Sequence, residues 1–164
     1  MFESFKQYWK YRKPNLDDAF QAAVSEVLRH VPANHFTELQ TALDGGKKIR
    51  GILLGVIAED LGGEWGAAIS RSVAIELIQT ASLIHDDFVD QDRMRRNMPA
   101  VWTLEGARKA VLMGDVIFAS AIRMMSEIGR EDGLVVSRAI AQISKGALME
   151  PNDPLTFMEQ ITSQ

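Results

Sequence analysis

Apolar residues at Leu16, Phe20, Val24, Val27, Leu28 and Val31 follow the three- and four-residue spacing of one helix face, and Pro32 closes the run. Pro14 and Asn15 separate this helix, predicted over residues 16–31, from an amphipathic basic start, MFESFKQYWKYRK. A shorter helix is expected over 35–43, before Gly45 and Gly46 break the chain, and a third over 48–61, stopped by Gly62 and Gly63. The longest, over 65–89, is apolar or small on most sides, as in a helix packed among others. Beyond Pro99 the pattern predicts a turn of helix over 101–104 and a long, small-residue-rich helix over 106–126 that Gly129 ends. A last helix over 134–150 is stopped by Pro151, Asn152, Asp153 and Pro154. No period-two run of strand length and no internal repeat occurs. One all-α domain over residues 1–164 is expected.

Composition narrows the function classes. With 164 residues, 46% of them hydrophobic, the chain can bury one core. It has no cysteine, which excludes disulfides, thiolate metal sites and cysteine nucleophiles, and is compatible with a reducing cytoplasm. A net charge of −4 argues against a general nucleic-acid binder. No uninterrupted apolar run nears the roughly 20 residues of a membrane span, and the basic start lacks the apolar core of a secretory signal. A soluble, cytoplasmic protein without a membrane span is expected.

The chemistry concentrates in LIHDDFVDQDRMRR, residues 83–96, at the carboxyl end of the longest helix. Asp86 and Asp90 are four apart on one face, and Asp87 projects roughly 100° around the axis. Carboxylates there repel one another and face a negative helix end, at a cost of about 0.3–1 kcal/mol each. A hard divalent cation offsets this, and Mg²⁺ is held by one or two carboxylates while substrate phosphates and waters complete its octahedron. Arg93, Arg95 and Arg96 suggest those phosphates, although each alone reads as a solvated charge. Upstream, Lys47 and Arg50 in GGKKIRG share a face near the positive start of a helix, the outline of a phosphate site. Taken alone, that cluster reads more readily as a glycine cap with solvated bases; the aspartates change the balance. Gln79 lies two turns before Asp86 on the same face, as a ligand or as the partner of a neighbouring backbone group. Ala81 and Ser82 are small where flanking residues are large, which suits tight helix packing or a cavity running down from the metal. His85, Asp115 and the methionines Met113, Met124 and Met125 read as structural. No Ser, His and Asp arrangement, Walker loop or dinucleotide fingerprint is present.

Together GGKKIR, IELIQTASLIHDDFVD, RMRRNMP and the pair Gly114–Asp115 resemble the trans-isoprenyl diphosphate synthases, or polyprenyl synthetases, over about residues 43–151. The resemblance implies an isoprenoid-synthase-type helical bundle, of which this length is about the first half. It implies that Asp86 and Asp90 bind Mg²⁺ bridging to the diphosphate of an allylic substrate, with Asp87 in support, and that Arg95 holds that diphosphate. Lys47, Arg50, Gln79 and Arg96 would hold isopentenyl diphosphate. The implied reaction ionises the allylic diphosphate, adds the isopentenyl double bond and loses a proton. In this family the residues four and five before the first aspartate help set product length. Here they are Ser82 and Ala81, which implies a product of geranylgeranyl length or longer that Ala81→Phe would shorten.

Two positions depart from the family pattern: Asn97 where glycine is usual, and Trp102 where histidine is common. They bear on the local loop more than on the metal. Members of the family usually have about twice this length, with a second aspartate-rich motif that these 164 residues lack. The leading expectation is a prenyltransferase portion. The alternative is an incomplete binding or regulatory subunit that needs a second chain to complete the site. A homodimer, or a heteromer with a chain supplying the second motif, is expected in either case.

Overall fold

The computed structural model describes residues 4–150, so the turn signal at Pro151 to Pro154 lies outside the described residues. Helix α1, Phe5–Leu28, starts on Ser4, whose side chain accepts from the Gln7 amide. Contrary to expectation, Pro14 does not interrupt it. The ring sits on the exposed side, while Tyr8 on one flank and Leu16 and Phe20 on the other are buried and hold both halves in line. Ion pairs from Arg12 to Glu59 and from Lys13 to Asp17 bracket the same turn. Tertiary anchoring thus outweighs the local cost of a proline. The helix ends at Leu28, earlier than its apolar pattern suggested: Pro32 disfavours helical geometry at Val31, and the amides of Arg29, His30 and Val31 tighten to i−3 carbonyls instead of continuing the α-helix.

A 3-10 turn at Ala33–His35 leads into α2, Phe36–Leu43, and the glycine pair into α3, Ile49–Asp60. Helix α4, Trp65–Val89, has the expected bounds. Two residues, β1 Met94–Arg95, pair antiparallel with β2 Met98–Pro99; the sequence pattern had no reach to show so short a ladder. Helix α5, Val101–Glu105, and α6, Ala107–Ile128, follow, and α7 spans Arg130–Met149. Helix α7 begins before the expected residue 134, because Glu131 and Asp132 suit a helix start and Asp132 is paired with Arg71 of α4 at 2.6 Å.

Helix α4 is the hub, packed chiefly on α6 and α3, and also against α1 and α5. Its Ala74, Leu77 and Ala81 meet Leu16 and Phe20 of α1, Ile52 of α3 and Ile117 of α6 in one core. It has the length and apolarity of a membrane span, but just over half of its most apolar stretch is buried inside the bundle. One stripe stays more open: Ile75, Gln79, Ser82, Asp86 and Asp90, spaced by three or four residues. On α7, every residue from 141 to 149 is exposed, Leu148 and Met149 among them.

Candidate functional site

The site begins with the hairpin. Arg96 and Asn97 form its two-residue turn, both with positive φ, 53° and 63°. That is the type I′ geometry that matches strand twist, and asparagine is among the few side chains that tolerate it. The departure at Asn97 therefore preserves the backbone that a glycine would adopt. Trp102 also has a local role: its indole donates to the Asp92 carbonyl at 2.7 Å and packs edge-on against Phe88.

Because the chain reverses between them, the adjacent arginines serve different places. Arg95 Nε donates to Asp87 Oδ1 at 2.7 Å, and Nη2 contacts the same oxygen. Asp87 is only 3% exposed, so Arg95 neutralises a buried carboxylate. Arg96 reaches the other way: Nη1 donates to the Asp44 carbonyl at 3.0 Å, and its guanidinium lies over Gly46.

Asp86 and Asp90 stay exposed on the open stripe of α4. The Asp86 carboxyl is held above its usual range, first by partial burial and then by the charge on Asp90. Among the described residues no salt bridge reaches either residue, and no three His, Asp or Glu side chains are grouped to hold a metal. Two like carboxylates with surplus negative charge are a donor set suited to a hard cation that takes its remaining oxygens from elsewhere.

A cleft of about 110 Å³ brings together Lys47, Arg50, Gln79 and Arg96, which arise from three separate segments, and it meets α4 at Gln79, two turns before Asp86 on the same stripe. Gly45 and Gly46, with φ of 77° and 81°, turn the chain into it. Trp9 pins the loop by donating to the Lys47 carbonyl at 2.7 Å. A second cavity of about 160 Å³, lined by Asp87, Arg95 and Arg96 with apolar residues of α4 and α5, lies behind the hairpin.

Ala81 is wholly enclosed in the core, whereas Ser82 is half-buried on the open stripe and donates to the Gln79 carbonyl. His85 lies against Gly114 of α6, with its Nε2 3.0 Å from the Val111 carbonyl, so the imidazole is engaged in helix packing. Met113 and Met125 are buried in the core, while Asp115 is exposed.

Sequence reasoning passed over Lys48 and Glu76. Lys48, 6% exposed, has φ of 50° and places its ammonium 3.1 Å from the centre of the Phe20 ring. Burial lowers its pKa to about 8 against the opposing pull of Glu76 and Asp17. Glu76 accepts from the Gly51 amide at 2.7 Å. Its signal was legible: an acid set among apolar positions in the middle of the longest helix, away from the aspartates at its end.

The Polyprenyl synthetase family model matches residues 34–162. A short chain isoprenyl diphosphate synthase of Methanothermobacter thermautotrophicus is 37% identical over 139 residues, covering 82% of this chain and 42% of that protein. An octaprenyl diphosphate synthase of Escherichia coli is 39% identical over 114 residues, covering 67% and 35%. Among solved structures, a polyprenyl synthase from Caulobacter crescentus, complexed with calcium and isoprenyl diphosphate, superposes with a TM-score of 0.79 at 25% identity, covering 92% of this chain and 47% of that one. The chain spans less than half the length of these relatives.

Proposed function

Because this chain belongs to the polyprenyl synthetase family, we propose that it takes part in joining isopentenyl diphosphate to an allylic diphosphate, lengthening a prenyl chain by one unit. The observation that supports this reading is the cleft that gathers Lys47, Arg50, Gln79 and Arg96 from three segments, on the α4 stripe that two turns later carries Asp86 and Asp90. Two anion positions along one helix face are what a reaction between two diphosphates requires. The names of the relatives, which include geranylgeranyl and octaprenyl diphosphate synthases, support the same chemistry.

In this reading Asp86 and Asp90 hold Mg²⁺, which when bound stabilises negative charge on the departing diphosphate. Asp87 supports that wall by anchoring Arg95, whose remaining donors face the allylic diphosphate. Lys47, Arg50, Gln79 and Arg96 hold isopentenyl diphosphate and orient its double bond toward the allylic C1. The allylic C–O bond breaks with its electron pair leaving on diphosphate, the double bond attacks the cation, and a proton is lost. In this reading a growing chain extends along the open stripe of α4, where the small Ser82 lies one turn before Asp86 and supports a product of geranylgeranyl length or longer. Since Ala81 is enclosed, Ser82→Phe is the substitution that shortens the product. A cytoplasmic location fits the cysteine-free composition, and self-association fits the apolar residues exposed on α3 and α7.

Binding measured by calorimetry tests the assignment. Asp86→Ala with Asp90→Ala is expected to abolish Mg²⁺-dependent binding of farnesyl diphosphate and to spare isopentenyl diphosphate. Lys47→Ala with Arg50→Ala is expected to do the reverse. Unchanged binding in both double variants would refute it.

A further inference from the structure

The start of α3 carries an unusual arrangement. Its cap position is Lys48, a side chain with no acceptor to offer the first amides of the helix. Glu76 supplies one from the neighbouring helix. Its carboxylate, in a residue only 7% exposed, takes the Gly51 amide at 2.7 Å, while Ser72 one turn earlier donates to the Gly51 carbonyl at 2.8 Å. The peptide is so close to α4 that a β-carbon at Gly51 would stand 2.8 Å from the Ser72 carbonyl oxygen. Among the described residues no acceptor reaches the amides of Ile49 and Arg50.

We infer that Glu76 is a positioning residue for the anion cleft: by capping α3 from α4 it fixes the helix start, so that the Ile49 and Arg50 amides and the Lys47 and Arg50 side chains face one bound diphosphate. The inference rests on the proposed diphosphate role of that cleft. A carboxylate at this end is also favoured by the helix dipole, and the buried Lys48 ammonium offsets its charge. The helix start therefore keeps its shape without spending on its own cap the two amides nearest the ligand. Glu76 orders the site from behind, and the cations in front remain free to meet phosphate oxygens.

The test uses inorganic pyrophosphate and the whole chain. Calorimetry is expected to show binding weakened at least tenfold in Glu76→Leu and restored to within about threefold in Glu76→Gln, whose amide oxygen still accepts. Ser72→Ala loosens the same helix junction and is expected to lower the melting temperature while binding stays within threefold. In the unsubstituted protein, hydrogen exchange at Gly51 is expected to be slow with or without pyrophosphate, and at Ile49 and Arg50 to slow only when it is bound. Glu76→Leu binding like the unsubstituted protein, or Gly51 exchanging as fast as Ile49, would overturn the inference. Failure of the cleft reading looks different: the unsubstituted chain would not bind pyrophosphate, or Lys47→Ala with Arg50→Ala would bind it equally well. That result would remove this inference too.

Discussion

The imidazole of His85 lies so tightly on the backbone of Gly114 that a β-carbon there would overlap the ring. This contact sets the spacing of α4 and α6 one residue before the aspartate wall begins. Gly114→Ala is expected to cost about 1–3 kcal/mol through overpacking. Urea denaturation measures it, and a cost below about 0.5 kcal/mol would mean that the helices part freely at this point.

Asp87 and Arg95 form a pair in which only the acid is deeply buried. Arg95→Met leaves that carboxylate alone and is expected to destabilise by about 1–3 kcal/mol, less than for a fully buried pair because the arginine side chain is 36% exposed. Asp87→Asn, which keeps an acceptor, should cost less. Equal losses in the two variants would contradict the arrangement.

In the proposed site, Asp86 would tie metal binding to stability. Its folded pKa is raised, so without metal this carboxyl contributes stability that is present at low pH and lost as pH rises through the folded value. Mg²⁺ at a hundred times its dissociation constant should return about 2.7 kcal/mol. Thermal unfolding with and without Mg²⁺ reads this, and Asp86→Asn should remove both effects.

Lys48 acts in the opposite pH range. Its folded pKa of about 8 lies below the ordinary 10.5, so between those values the unfolded chain binds the extra proton. Stability from this group therefore rises with pH across that window. The difference between the melting curves of the unsubstituted protein and Lys48→Met should change between pH 8 and 10.5 and be flat between pH 6 and 7.

The turn at Arg96 and Asn97 can be probed apart from charge. Asn97→Gly should be neutral within about 0.5 kcal/mol, because both residues accept positive φ. Asn97→Val should cost about 1–2 kcal/mol and loosen Arg96 from the Asp44 carbonyl, seen as weaker pyrophosphate binding.

Much of this protein follows from local pattern. The bounds of α4, the all-α class and the position of the aspartates at its end are written in apolar spacing and glycine punctuation, because a helix satisfies its own backbone within a few residues. The candidate ligands Lys47, Arg50, Gln79 and Arg96 were likewise visible as residue types, and the family resemblance supplied their grouping. Only tertiary structure could decide the rest. Pro14 stays helical because Tyr8 and Leu16 are anchored by distant partners. Arg95 and Arg96, adjacent in the chain, part because a two-residue turn lies where they meet. Lys48 and Glu76 face each other because α3 crosses α4 at a glycine. Each of these depends on the energy of contacts between segments far apart in sequence, which no local window contains.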